Sequence, residues 1–209
     1  MARGRGIRAG LVRDDVATAA HNLLVLEGFS AVTMRRVAEV LGVAPNTLYS
    51  HVEDRGDLAD AVLDLELARI AMPEAGTSQN KIELVMRALW NCLVARPGLA
   101  AHLLDRTNRS AELARLRRDL GELLRRASST PDQATDYVGV LLSYTVGSAA
   151  MAGSMNIVSA DRIFREGLQL YITALSLEPA PGRFTVREWP IFEDTIPGRA
   201  SDQVAREAG

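Results

Sequence analysis

The sequence predicts an all-α fold, in which an N-terminal three-helix domain with a helix-turn-helix is joined by a connecting helix to a larger helical domain. Apolar residues recur at helical spacing through most of the chain, and no stretch alternates as a strand would. A glycine turn separates two short helices within residues 33–52. The length of 209 residues suits one domain of about 70 residues and one larger domain.

Composition and charge set the outer limits of function. Hydrophobic residues make up 47% of the chain, and the formal net charge is -2. A nucleic-acid binder needs positive charge on one face rather than overall, and the first thirteen residues contain no acid but four arginines: Arg3, Arg5, Arg8 and Arg13. With no secretory leader or membrane-length apolar run, we expect a cytoplasmic protein. The single cysteine, Cys92, cannot form an intrachain disulfide and is predicted to be a small buried hydrophobic residue.

Local signals predict the helix-turn-helix. Its first helix begins at Thr33, whose hydroxyl can accept a hydrogen bond from a backbone N–H of the first turn. Gly42 stands where a residue with positive φ commonly ends a helix. The second helix is predicted over about 44–51, with Pro45 in its first turn, where the missing N–H costs nothing. The side chains predicted to face inward are Val37, Val40, Leu41, Leu48 and Val52.

The outward face of the second helix carries short polar groups, a phenol and an imidazole. Its members are Pro45, Asn46, Thr47, Tyr49, Ser50 and His51. An asparagine can bind adenine through two hydrogen bonds, a threonine offers a methyl group to thymine, and tyrosine or histidine can donate to phosphates. This face favours DNA reading, and a helix pair used only for packing is the alternative.

The flanking elements complete a small domain. An amphipathic helix is predicted over about 11–27 and is closed by Gly28, and Asp57 is predicted to cap a connecting helix over about 57–71. Together with the pair, these elements closely resemble the tetracycline-repressor (TetR) family over about residues 10–70. The matching stretches are 27–30, 33–38, 41–43, 47–52 and 58–61.

The resemblance implies DNA contacts beyond the second helix. It adds Thr33 and Arg35 from the first helix and places Arg55 near a phosphate. Arg35 could bind guanine through O6 and N7 in the major groove. Family members often carry lysine just after the second helix, whereas this chain has Glu53 and Asp54, which weakens the expected phosphate clamp.

The domain division follows from these patterns. Residues 1–10 are predicted to be a flexible basic arm, either a DNA-contacting arm or a plain solvated tail, and 11–71 the helix-turn-helix domain. Residues 72–178 are predicted to form a helical effector-binding and dimerisation domain, and 179–209 a Pro-rich tail. Two long apolar segments, about 133–155 and 160–177, exceed the needs of one core. The resemblance implies a four-helix bundle with a second subunit, which gives a homodimer; an intrachain core is the alternative.

Apolar and aromatic residues with a few polar groups are typical of a small-molecule pocket. The candidate effector-binding residues are Met86, Trp90, His102, Leu103, Tyr144, Met151 and Met155, each of which could instead be plain core. Tetracycline-binding family members use a histidine near this part of the chain to hold a drug-bound magnesium. Because His21 and His51 both lie in the DNA-binding part, we expect an unidentified, largely apolar effector instead.

The sequence lacks a glycine-rich phosphate loop, metal-ligand spacing and a nucleophile elbow, so no catalytic residue, metal or cofactor is predicted. The predicted function is a homodimeric, ligand-responsive transcription regulator that binds a double-stranded DNA operator, with repression released by the effector. An effector-independent activator or architectural DNA binder is one alternative. A helical small-molecule carrier or enzyme that has lost DNA affinity is another.

Overall fold

The computed structural model describes residues 10–106, 109–126 and 130–175, and every regular element within these ranges is helical. The helices are α1 Arg13–Glu27, α2 Met34–Leu41, α3 Pro45–Leu48, α4 Arg55–Leu67, α5 Ser78–Ala95, α6 Leu99–Arg106, α7 Ala111–Arg126, α8 Pro131–Ala152 and α9 Ile157–Leu175. The predicted all-α class is therefore confirmed. The Pro-rich tail and all of the N-terminal arm except Gly10 lie outside the described residues.

The N-terminal head consists of α1 to α4, and local sequence signals set where its helices begin and end. The Thr33 hydroxyl accepts a hydrogen bond from the backbone N–H of Arg36, as its predicted capping role requires. Gly42 ends α2 with φ 68°, in the left-handed region, and Pro45 begins α3. The head core contains Val16, Ala20, Leu23, Val37, Leu48, Val52 and Leu58, all of them buried.

Some local predictions for the head are wrong. The second helix of the pair ends at Leu48, and residues 49–51 form a turn rather than helix. Asp54, not Asp57, caps α4, because its carboxylate accepts the backbone N–H of Asp57 while the Asp57 side chain is bound by Arg13. Val40 was expected on the inward stripe but is 49% exposed.

The larger domain contains α5 to α9, and α8 packs against α5, α6, α7 and α9. Helix α8 begins with a capping box, in which the Thr130 hydroxyl accepts from the Gln133 backbone and the Gln133 side chain accepts from the Thr130 backbone. Its core includes Met86, Leu89, Trp90, Leu103, Leu116, Leu120 and Phe164, all of them buried. No helix in the described ranges is long and apolar enough to cross a membrane.

Helix α4 connects these two groups of helices physically. It packs against α1 in the head and against α5, α6 and α7 in the larger domain. Because it is covered on several sides, it buries two of its acids, Asp60 and Glu66, along with its apolar residues. A displacement of α4 would therefore be felt in both parts of the chain.

Candidate nucleic-acid interface and ligand region

The outward face of α3 and the following turn is the candidate nucleic-acid interface. Pro45, Asn46, Thr47, Tyr49 and Ser50 are exposed, and His51 is partly buried. On the opposite side, the side chains of Leu48 and Val52 are buried in the head core. The apolar spacing therefore turns the predicted reading residues to one exposed side, while their contact with DNA stays a prediction. We call α3 the reading helix.

Two predicted contact residues lie on α2. The Arg35 side chain is 86% exposed, and its Nε donates to Glu39 Oε1 over 3.2 Å. Such an exposed pair is worth little, so this guanidinium can exchange its partner for a base or a phosphate. Hydrogen bonds from Arg35 first, and then from Arg36, lower the pKa of Glu39, which keeps that carboxyl ionised. Thr33 is partly buried because its hydroxyl caps α2.

Arg55 contacts the protein more closely than the sequence suggests. Its Nε donates to the Val32 carbonyl over 2.9 Å, and its terminal nitrogen lies 3.4 Å from the Phe29 carbonyl. The guanidinium carbon also lies 5.5 Å from the centre of the Phe29 ring, within cation–π distance. Arg55 therefore ties the start of α4 to the turn before α2, and its predicted phosphate contact would have to coexist with these bonds.

Arg13 holds the turn that follows the reading helix, a role that the sequence did not reveal. One terminal nitrogen donates to the His51 carbonyl over 2.7 Å and to Asp57 over 3.0 Å, and the other donates to Asp57 over 2.5 Å. The hydrogen bond with Asp57 raises the pKa of Arg13 above its ordinary value, against the opposing effect of burial. The sequence signal was an arginine at the start of α1 and an acid in the first turn of α4.

The predicted ligand residues divide between the core and the surface of the larger domain. Met86, Trp90 and Leu103 are buried, whereas Met151 is 62% exposed and Met155 38% exposed. The structure therefore does not gather these residues around one cavity, and their role as effector contacts stays a prediction.

Aromatic rings connect α5 with α8 and α9. Trp90 stacks on Phe164 with ring centres 5.0 Å apart, Phe164 stacks on Tyr144 at 5.9 Å, and Tyr144 meets Tyr171 at 4.9 Å. The Tyr144 hydroxyl donates toward the carbonyls of Ile163 and Phe164. These four rings form an aromatic ladder that leads from the core to the face of α8 and α9.

The inner end of the aromatic ladder contains an unusual polar group. Trp90 Nε1 is buried and has no hydrogen-bond partner within the described ranges. A buried N–H without a partner costs about 1–3 kcal/mol, so an acceptor brought to it would contribute favourable binding energy.

Several pockets are lined by residues of α8. One, of about 580 Å³, lies at the outer end of the ladder, where Tyr144 and Tyr171 line it with Thr135, Asp136, Gly139, Val140 and Ser143. Another, of about 260 Å³, lies between the α5–α6 turn and the end of α8, and Leu93, Gly98, Ala149 and Ile157 are among its lining residues.

His102, a predicted effector contact, bonds to α4. Its Nε2 lies 2.7 Å from Asp60 Oδ1, and both side chains are largely buried. Its ring also lies 6.0 Å from the ring of Phe29 in the head. Gly98, just before α6, has φ 102°, and a Cβ there would fall 2.5 Å from the Phe29 ring. The start of α6 is thus fitted closely against the head.

Two further acids of α4 contact other helices. Glu66 Oε1 lies 2.7 Å from His21 Nε2 in α1 and accepts from Arg96 Nε, just after α5, over 3.2 Å. Asp64 accepts from the Ser110 hydroxyl over 2.5 Å, at the start of α7. Polar contacts therefore connect α4 to both parts of the chain at several points.

Comparisons with known proteins agree with this geometry. Residues 17–62 match the family model described as bacterial regulatory proteins, tetR family. The class D tetracycline repressor protein of Escherichia coli is 37% identical over 103 residues, which cover 46% of this chain and 46% of that protein. The chain spans less than half the length of the curated relatives it matches.

Solved structures resemble a larger share of the chain. BioQ, solved with its natural double-stranded DNA operator, is 27% identical with a TM-score of 0.70, over 80% of this chain and 99% of that chain. The TetR family protein ActR of Streptomyces coelicolor, solved with (S)-DNPA, covers 80% of this chain and 98% of its own, with a TM-score of 0.73. At 23% identity, the ActR likeness concerns the fold alone.

Proposed function

We propose that this chain, whose residues 17–62 match the tetR family model, is a homodimeric repressor that a small, largely apolar effector releases from its DNA operator. The observation that carries this proposal is the exposed polar face of the reading helix, connected through α4 to a separate group of helices. A head built only for packing would have no need to leave Asn46, Thr47 and Tyr49 exposed together.

The outer face of α8 and α9 supports a dimer. Several large apolar side chains are exposed there, among them Val140, Met151, Ile163, Leu170 and Tyr171. Gly139, which is exposed, and Gly147 have open space where a side chain would be, so another helix can approach closely. A two-fold dimer through this face would present two reading helices to successive major grooves.

The aromatic ladder supports a planar, apolar effector with a hydrogen-bond acceptor. Stacked rings bind flat apolar molecules, and the unpartnered Trp90 N–H offers a donor to a ligand oxygen or nitrogen. Binding beside Trp90 requires the packing of α5, α8 and α9 to open, so the effector would change how these helices sit.

Helix α4 supplies the coupling. A shift of α6 would act on Asp60 through His102, and a shift of the end of α5 would act on Glu66 through Arg96. Because the operator fixes the spacing of its two half-sites, a small movement of the heads lowers affinity. BioQ was solved with an operator, which supports the DNA half of this proposal.

DNA binding is tested with a duplex selected by the protein from a random-sequence pool. We expect a two-fold symmetric site, affinity that falls linearly on a log–log plot against salt, and a dimeric mass by light scattering. A monomer without salt-dependent DNA binding would instead favour the carrier alternative.

Effector release is tested by a thermal-shift screen followed by DNA binding. We expect a stabilising compound to weaken binding to the selected duplex, and His102→Gln to reduce that weakening while leaving the thermal shift in place. A screen without any stabiliser across broad chemical classes would favour the effector-independent alternative.

A further inference from the structure

We infer that Arg13 is a positioning residue for DNA reading, which fixes the orientation of the reading helix without contacting DNA itself. This inference rests on the proposed DNA-binding function. It assigns a role to the last of the four arginines that make the first thirteen residues basic.

The geometry is a two-pronged clamp. Both terminal nitrogens of Arg13 bond the carboxylate of Asp57, at 3.0 and 2.5 Å, and one of them also donates to the His51 carbonyl at 2.7 Å. A planar guanidinium suits this fork, whereas an ammonium is a point donor. A single side chain at the start of α1 therefore holds both the turn after the reading helix and the first turn of α4.

The linker between the reading helix and α4 is held from the other side as well. Asp57 also accepts the backbone N–H of Glu53 over 2.9 Å, and Asp54 accepts the backbone N–H of Asp57 over 2.8 Å. Of the two acids that seemed unfavourable for phosphate binding, Asp54 uses its carboxylate within the head, whereas Glu53 takes part through its backbone N–H.

The reading helix needs such support because it is one turn long. Pro45–Leu48 is too short to be stable by itself, since helix formation begins with an unfavourable nucleus. Its inner side is held by the buried Leu48, and the turn that follows it is held by the buried Val52 and by the bond from Arg13 to the His51 carbonyl. Loss of the clamp would let the exposed side chains of the reading face change their angle to the groove.

Salt dependence separates a clamp from a phosphate contact. Each phosphate contact adds about one to the slope of log affinity against log salt, whereas a positioning residue adds none. The Arg13 guanidinium is bonded to Asp57, so Arg13→Gln removes no phosphate contact but leaves the Asp57 carboxylate without its cation, and Arg13→Lys, which keeps the positive charge, controls for that effect.

The experiment measures full-length Arg13→Gln and Arg13→Lys proteins by fluorescence anisotropy on the duplex selected by the unmutated protein, over a salt series. We expect affinity about tenfold lower for both variants, as loss of a partly exposed charge-assisted hydrogen bond gives, with an unchanged salt slope. Binding to poly(dI-dC) is expected to stay the same, because that probe needs no fixed reading angle.

The matched control is Arg87→Gln. Arg87 is also an arginine with an acidic partner, Glu83 at 3.6 Å, but it lies on α5. This variant loses the same charge from the larger domain rather than from the head. It should therefore bind the duplex like the unmutated protein. Circular dichroism and thermal unfolding establish that each protein compared is folded at the assay temperature.

A double-mutant cycle keeps the inference testable if Arg13→Gln folds poorly. Arg13→Lys and Asp57→Asn each weaken the clamp from one side. The double variant should therefore lose little more affinity than whichever single variant binds the duplex less tightly. Fully additive losses would overturn the clamp.

Other outcomes also overturn it. A salt slope lower by about one in Arg13→Gln, with affinity kept in Arg13→Lys, would make Arg13 a phosphate contact. Unchanged duplex affinity with a lower unfolding temperature would leave it only a stabilising role. If the unmutated protein selects no duplex, the proposed function itself fails and the inference fails with it.

Discussion

The head and the larger domain are both built from amphipathic helices, but they place their candidate functional residues differently. In the head, the predicted reading residues 45–47 and 49–51 lie together on one side of a single turn of helix and the turn that follows it. In the larger domain, the candidate ligand residues divide between buried positions such as Met86 and exposed positions such as Met151. The candidate residues of the head form an exposed surface, whereas several of those in the larger domain belong to a packed core.

The two parts would therefore bind their ligands in different ways. DNA can approach the head without rearrangement, because the polar groups already face outward. An effector at the aromatic ladder would have to displace packed side chains. The resulting change in packing between α5, α8 and α9 would then act on α4. Substitutions should therefore affect binding in the head and stability in the larger domain.

The largest effect is expected for Trp90→Ala. Removing this buried ring should lower the free energy of unfolding by about 3–5 kcal/mol, since its stacking on Phe164 and its core contacts are lost. Urea unfolding measures the change, and Leu84→Ala, at an exposed position of the same helix, should cost under about 0.5 kcal/mol. Equal stability of the two variants would contradict the packing of Trp90.

Arg35→Ala should act on binding instead. If Arg35 bonds a guanine, its loss should weaken binding to the selected duplex by about 1–3 kcal/mol, most strongly at one base position. The unfolding midpoint should stay unchanged, because the exposed pair with Glu39 contributes little. Binding equal to that of Arg87→Ala would remove Arg35 from the interface.

Gly167→Ala tests how closely α8 and α9 fit. A Cβ at Gly167 would overlap the Tyr144 hydroxyl, so the substitution should destabilise the protein by about 1–3 kcal/mol. Tyr144→Phe removes that oxygen and should recover part of the loss in the double variant. Gly121→Ala is the control, since open space surrounds that helical glycine and the change should stabilise by about 0.5–1 kcal/mol. A stabilising Gly167→Ala would contradict the packing.

The smallest effect concerns Cys92, at the junction of the two regions. Burial, and then the nearby Glu66 carboxylate, raise the pKa of this thiol to about 11 from its ordinary 9.0. Its contribution to stability is fully present below pH 9.0 and is lost as pH rises toward about 11, because the unfolded thiol ionises first. Unfolding midpoints should therefore fall more steeply over this range than in Cys92→Ala, and parallel curves would contradict the assignment.

The parts of the fold that sequence could predict depend on local chemistry. Thr33 caps α2, Gly42 takes a positive φ and Leu48 faces inward because each follows from spacing within one or two turns. The cap of α4 was misassigned because Asp54 and Asp57 are both plausible caps by residue type. The choice depends on Arg13, whose contact with Asp57 is distant in sequence.

In the candidate sites, too, features set by local spacing could be predicted and contacts between distant residues could not. The reading face could be derived from helical periodicity, since its inner residues are apolar and its outer residues polar. The phosphate contact of Arg55 stays a prediction, and its bonds to Val32 and Phe29 could not be foreseen because they depend on how the turn before α2 folds back. The effector contact of His102 also stays a prediction, and its bond to Asp60 could not be foreseen because that residue lies on a helix far earlier in the chain.

The acids of α4 set a condition for engineering hybrid regulators. A head transplanted together with α4 would bring Asp60 and Glu66 into a foreign domain without His102 and Arg96. A head transplanted without α4 would lose Asp57, and with it the bond that orients the reading helix. Exchange at a single junction therefore leaves either the buried acids of α4 or the partly exposed Arg13 unmatched, unless the partner residues are transferred as well.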